Sequence, residues 1–245
     1  MKKILMVMML AAVGVFSLSA NENENTLSVG LSAGYESEYT FRGVTKAEEV
    51  AITQVTVQLA NAYFGVTGFF DQDDIENFDS EVDLVAGIST GQFLGAALDF
   101  GVTAYTYPNA STSIGETDYS IEPYIGLIFD DLLLTPGAYA YYDINKEALT
   151  LEVSVSETLT SENGLPLLGE VSFTPIVSVG YTDINDVTPN GVNTEDAYLY
   201  VTAKLNASFD VLGGTVAVGP RYSWTDGAEV DFNELTLGGS VSYDF

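Results

Sequence analysis

The sequence has no cysteine and no histidine, and only seven of its 245 residues are Lys or Arg. Each shortage excludes a chemistry. Without cysteine there is no disulfide framework, no thiol nucleophile and no zinc–thiolate site. Without histidine there is no imidazole ligand and no triad that uses imidazole as its base. Phosphate binding needs a basic footprint, whereas the few cations here are scattered, apart from Lys2 and Lys3, and face 35 acidic residues for a net charge of -28. No nucleic-acid partner is expected. What is present is far from the composition of a disordered acidic chain: 47% of residues are hydrophobic and 12% aromatic. A chain this apolar and this anionic must hold the two properties on separate surfaces.

The first twenty residues read as an export signal. Met1-Lys2-Lys3 is a positive start, Ile4 to Phe16 is an almost unbroken apolar run, and Ser17-Leu18-Ser19-Ala20 fits a small-residue cleavage site. Residues 1–20 are therefore expected to be removed, leaving 21–245 as one folded unit. No later segment approaches the length of apolar run that a spanning helix needs, about 18 residues.

From Leu27 to Arg42 the chain alternates. Leu27, Val29, Leu31, Ala33, Tyr35, Tyr39 and Phe41 hold odd positions, with Ser37 the exception, while Ser28, Gly30, Ser32, Gly34, Glu36, Glu38, Thr40 and Arg42 hold even ones. Successive side chains of a strand point to opposite faces, so this is a strand with one apolar and one small, polar or charged face. The same period returns through Gln54–Leu59, Tyr63–Phe70, Glu81–Ser89, Leu94–Ala104, Asp118–Leu127, Leu149–Ser156, Val171–Tyr181, Ala197–Phe209, Val216–Trp224 and Leu235–Phe245, with a weaker stretch at Leu133–Asp143. Twelve candidate strands result, and a miscount around residues 132–170 would make them ten or fourteen.

Short links near Asn61, Gly91, Phe129-Asp130-Asp131 and Val211–Gly214 alternate with longer polar ones at Gly43–Glu49, Asp71–Asn77, Pro108–Thr117, Asp183–Glu195 and Thr225–Asn233. Short turns at one end and long loops at the other mark an up-and-down barrel of the outer-membrane kind. The link Thr158–Glu170 is long where a short turn is due, and Asp143–Lys146 is short where a loop is due. The strands are about ten residues long, which suits a tilted membrane strand. Tyr39, Phe41, Phe70, Phe78, Tyr181, Trp224 and Tyr243 gather toward strand ends as aromatic girdles would, and the chain ends on an apolar-face Phe245. The expected fold is an all-β transmembrane antiparallel up-and-down barrel of the bacterial outer membrane, with Phe245 as its assembly signal.

The segment Gly34-Tyr35-Glu36-Ser37-Glu38-Tyr39-Thr40-Phe41-Arg42-Gly43-Val44-Thr45 resembles the opening strand of the TorF-type porins, in which Ser-Asp/Glu-Tyr-x-Phe-Arg-Gly-Ile/Val-Ser/Thr precedes the first outer loop. Ala51-Ile52-Thr53-Gln54 and Tyr63-Phe64-Gly65-Val66 are similar to that family's next two strands. The likeness covers roughly the first fifty residues after the signal, and beyond them only the barrel period supports it. It implies an outer-membrane barrel with channel activity and poorly defined substrates.

The polar face carries the candidate site. Glu36, Glu38, Glu81, Asp83, Asp99, Glu122, Glu152 and Glu234 should point inward against Arg42, Lys204 and Arg221, an excess that favours cations if the lumen conducts. Arg42 and Arg221 serve equally as neutralising, space-filling groups. Tyr105, Tyr124, Tyr198 and Tyr200 share the inward register. The i, i+2 pairs Glu36/Glu38 and Glu81/Asp83 are what any polar lumen produces, so no enzymatic activity and no cofactor or metal is expected. The expected function is passive passage of small hydrophilic solutes. The rival is a non-conducting structural or adhesive barrel whose acidic loops, at Asp71–Glu76, Asp183–Asp186 and Asp226–Asp231, bind a surface partner or divalent cations. Expected partners are outer-membrane lipid, lipopolysaccharide and the barrel assembly machinery.

Overall fold

A computed structural model describes residues 6–9, 16–19, 27–71, 80–92, 95–108, 119–161, 164, 169–187, 193–227 and 232–245. Twelve of its strands form one closed ring: β1 Leu27–Phe41, β2 Val44–Leu59, β3 Ala62–Asp71, β4 Glu81–Ser89, β5 Ala97–Thr106, β6 Tyr119–Ile128, β7 Gly137–Asp143, β8 Ala148–Ser156, β9 Val171–Val187, β10 Asn193–Val211, β11 Gly214–Gly227 and β12 Phe232–Asp244. Each pairs antiparallel with the next, β8 pairs with β9, and β12 returns to β1. Closure leaves no free edge where the ladders run, which answers the need of every backbone N–H and C=O for a partner. Met6–Met9 and Phe16–Ser19 pair in a separate two-stranded sheet outside this ring.

The expected count of twelve strands holds, and both irregular links are features of the fold. Residues 144–147 make a tight turn between β7 and β8, while the long β8–β9 link lays Leu159–Thr160 against β9. The strands reach further than their alternation indicates. Asp183–Asp186, expected in a loop, lie within β9, where the ladder with Thr194–Ala197 overrides the weak strand preference of Asp and Asn.

The period-two pattern sorts the two faces. Leu31, Val55, Phe64, Leu84, Phe100, Ile125, Tyr142, Leu151, Val179, Leu199, Val218 and Leu237, one from each strand in turn, are all exposed on the outside. Contiguous apolar surface on this scale is not left to water by a soluble protein. The core lies inside the ring and is built from tyrosines, small polar residues and carboxylates.

One hairpin departs from the wall. Among the described residues, β12 pairs with β1 only between Gly30 and Glu36, and β3 pairs with β2 only from Val50 onward. Ser37–Glu49, expected in part as an outer loop, is instead a two-stranded ribbon that keeps its own pairing and turns through Arg42-Gly43, both at positive φ (50° and 79°). That combination is the two-residue turn whose twist matches the ribbon.

Candidate functional site

The lumen is organised by a repeated steric device. Tyr63 stands directly opposite Gly87, Tyr124 opposite Gly101, Tyr139 opposite Gly126 and Tyr200 opposite Gly180. In each pair the ring lies flat over the glycine: a Cβ there would fall 2.1 to 2.3 Å from ring atoms. A mid-strand glycine weakens a strand unless another group needs its space. Here each one lets a ring lie along the wall; Tyr63, Tyr139 and Tyr200 carry their hydroxyls to a carboxylate, and Tyr124 carries its own to the hydroxyl of Tyr63.

Those hydroxyls form a lattice. Tyr63 donates to Asp99 Oδ1 at 2.9 Å and Tyr139 to Asp99 Oδ2 at 3.2 Å. Tyr105 donates to Glu122 Oε1 at 2.9 Å, and Tyr200 to Glu152 Oε2 at 2.7 Å. Tyr63 and Tyr124 share a hydrogen bond between their hydroxyls. Removed from water, a carboxylate needs such donors or an opposite charge.

The opposite charge comes from the hairpin. Its tip carries Arg42 across the lumen, where Nη1 and Nη2 donate to Glu122 Oε2 and Oε1 at 2.7 and 2.8 Å. The guanidinium also lies 4.7 Å from the ring centroids of both Phe41 and Tyr141, a cation–π arrangement. Tyr141 belongs to β7, half-way round the ring from β1. On the other side of the tip, a Cβ on Gly43 would lie 2.6 Å from Tyr200 Cβ and 2.6 Å from Thr225 Cγ2. Gly43 is thus required twice, by its positive φ and by its cradle against β10 and β11. Thr40 accepts a hydrogen bond from Ser223 of β11 at 3.1 Å. Tyr39 stacks on Phe69 of β3 with centroids 4.4 Å apart, and Phe41 meets Tyr105 edge-on at 5.7 Å. The hairpin therefore spans the lumen and is held from both walls.

The side chains of Glu81, Asp83, Asp99, Glu122 and Glu152 are buried on the inner face. Glu36 is there too, paired with Arg221 Nε at 2.8 Å. Lys204 lies opposite Arg221 and Glu234 opposite Ser223, on the inward register, and Glu38 is half-buried. Phe70, Tyr181 and Tyr243 are exposed outside, and Trp224 is partly so, next to inward Ser223 and Thr225. Phe245 exposes its ring and exchanges both backbone hydrogen bonds with Val29. Phe78 and most of the acidic loop residues lie outside the described residues.

Two placements are corrected. Tyr39, only 1% exposed, and Phe41, packed against inner rings, are not on the outer surface. They sit on the ribbon that has folded inward, so the wall register no longer decides their side. Sequence reasoning also missed Tyr63, Tyr139 and Tyr141 as inner residues. Each of the three lies inside, although Tyr63-Phe64 and Tyr141-Tyr142 are adjacent aromatic pairs in which hydropathy does not tell inside from outside.

No curated protein matches the sequence. Among solved structures, LpxR from Salmonella typhimurium is similar over 88% of this chain and 99% of its own, at 9% identity and a TM-score of 0.48. OccAB3 from Acinetobacter baumannii is similar over 92% of this chain and 66% of its own, at 11% identity and a TM-score of 0.38. OccK9 from Pseudomonas aeruginosa is similar over 89% of this chain and 97% of its own, at 9% identity and a TM-score of 0.33. The fold itself rests on the strand ladders. The narrower likeness of the opening strand to the TorF-type porins is not confirmed by these comparisons. The family model described as bacterial protein of unknown function (Gcw_chp) matches residues 20–242, and the chain belongs to that family.

Proposed function

We propose that the protein is a channel of the bacterial outer membrane for small hydrophilic solutes, exported by the signal at residues 1–20, and that the arrangement with the hairpin in the lumen is its shut form. The observation that carries this reading is how the lumen is obstructed. The group that crosses it is the tip of a separable hairpin, held by Arg42–Glu122 and Thr40–Ser223 contacts, not a fixed residue of the wall. The apolar exterior on every strand supports lipid surroundings.

Cation preference follows from the inner charges. Arg42 and Arg221 are each engaged with a carboxylate, leaving Glu81, Asp83, Asp99 and Glu152 in excess over Lys204. A lumen of one net sign concentrates the opposite ion. Aromatics such as Tyr181 and Trp224 would sit at the interfaces, and the final strand with Phe245 would serve the assembly machinery. The second reading, a non-conducting barrel, draws on the Tyr–carboxylate lattice, which fills the space between the walls as a structural core would.

Purified protein in planar bilayers tests both. Unitary steps with a cation-directed reversal potential in a salt gradient are expected. Silence at every voltage and salt concentration, including for variants that release the hairpin, would sink the channel and leave the structural barrel.

A further inference from the structure

We propose that the Ser37–Glu49 hairpin has two seats, the observed one inside the lumen and a second in the barrel wall, zipped onto the open edge of β12. The functional consequence, a gate, rests on the channel reading above. The two seats themselves do not.

The first observation is the edge. β12 is paired along its length with Thr215–Thr225 of β11, but on its other side, among the described residues, only Gly238–Asp244 are paired, with β1. Above that point Leu235 and Leu237 are 72% and 64% exposed, among the most exposed apolar side chains of the wall. An open strand edge beside bare leucines is a template for another strand, and a hydrocarbon setting makes leaving it open costly. The zipper stops abruptly: Leu237 N–H donates to the side-chain Oγ of Ser37 at 3.0 Å, where the next rung would use backbone.

The second observation is register. β1 and β12 pair as Gly30 with Asp244, Gly34 with Ser240 and Glu36 with Gly238. Carried forward without a shift, Ser37 meets Leu237, Glu38 meets Thr236, Tyr39 meets Leu235, Thr40 meets Glu234 and Phe41 meets Asn233. In that seat Tyr39 and Phe41 point outward, flanking Leu235, while Glu38 and Thr40 point inward beside Thr236 and Glu234. The alternation from Leu27 to Phe41, broken only at Ser37, is therefore suited to the wall, whereas Arg42, Gly43 and Thr40 find their partners in the lumen. Each seat satisfies groups that the other leaves unmet.

The third observation is a joint. Glu49 has a positive φ of 50°, and the ribbon's register shifts between Tyr39 and Thr40. Both are irregularities at which a ribbon bends and twists. They lie at the root and within the arm of the segment that would swing, while the β1–β2 pairing keeps it together.

Because the chain has no cysteine, paired cysteines distinguish the seats in the intact protein. Thr40→Cys/Ser223→Cys joins residues whose hydroxyls are 3.1 Å apart in the lumen seat. Tyr39→Cys/Leu235→Cys joins residues that face opposite sides now but would be directly opposed in the wall seat, with Cα atoms about 5.5 Å apart, inside the disulfide range. Heat-modifiable gel migration verifies that each variant folds, and Phe41→Cys/Asn233→Cys is a second wall pair if the first does not. Mild oxidant in native membranes should close both kinds of crosslink. Wall-locked protein should show a several-fold higher open fraction in bilayers than lumen-locked protein, and a reductant should remove the difference. Folded variants in which the lumen pair closes fully and neither wall pair closes at all would overturn the proposal. If both kinds close and neither conducts, the two seats stand and the channel reading falls.

Discussion

Arg42 and Glu122 meet face to face inside the barrel, with the two terminal guanidinium nitrogens donating one to each carboxylate oxygen at 2.7 and 2.8 Å, although one residue sits on a hairpin tip and the other on β6. The pair is nearly shielded from water, the two side chains being 11% and 2% exposed. Removing one member strands the other. Glu122→Gln and Arg42→Met are each expected to lower stability by about 3–5 kcal/mol, the usual effect of leaving a buried charge uncompensated. The double variant should lose less than the two singles added together. The temperature at which the folded gel band converts to the unfolded one measures this, and strict additivity would mean the two residues are not energetically coupled.

The Tyr–Gly pairs make a steric prediction. Gly101→Ala places a methyl 2.3 Å from the Tyr124 ring, and overpacking of this kind costs about 1–3 kcal/mol. Tyr124→Ser in the same chain removes the ring but leaves the Ala86 carbonyl oxygen 2.8 Å from the methyl, so the double variant should recover part of the loss and not all of it. Failure of Tyr124→Ser to relieve Gly101→Ala would show that the glycine answers to the strand backbone and not to the ring above it.

These pairs also mark where the sequence stops being legible. The strands and the outer wall follow from alternation alone, because Leu31, Val55 or Leu151 can face only one way once the strand is set. The inner residues follow less well. Tyr63 beside Phe64, and Tyr141 beside Tyr142, are chemically near-equivalent neighbours, and what turns Tyr63 inward is the empty space over Gly87 on the adjoining strand. A mid-strand glycine on the polar face was the available signal, but it names its partner only when the register is known. The hairpin was out of reach for a deeper reason. Alternation reports how a strand sits in a wall, and Ser37–Glu49 has left the wall, so Tyr39 and Phe41 read as outward residues while packing inside.

The Glu36–Arg221 pair gives a handle on selectivity. With Glu36 engaged at 2.8 Å, the positive charge of Arg221 is masked from the lumen, and Lys204 lies directly opposite it on β10. Glu36→Gln uncovers two adjacent cations. The reversal potential in a potassium chloride gradient should move toward the anion value, by an amount that shrinks as salt rises because mobile ions screen fixed charge. An unchanged potential at low salt would remove this pair from the ion path.

The exterior can be tested apart from any channel activity. Ile125 is outward on β6, between Phe100 of β5 and Ala140 of β7, whereas Leu212 caps the two-residue β10–β11 turn and is 94% exposed. Arginine at the first position would have to enter hydrocarbon, at a cost of about 2–4 kcal/mol near the bilayer midplane. Arginine at the second stays in water. Ile125→Arg should therefore fold poorly into lipid vesicles, read as a smaller heat-modifiable fraction, while Leu212→Arg folds as the parent does. In a water-surrounded barrel the order would vanish, since an exposed isoleucine on a soluble surface accepts arginine with an effect of about 0.5 kcal/mol or less. Equal folding yields for the two variants would thus contradict a lipid-facing wall whatever the conductance measurements show.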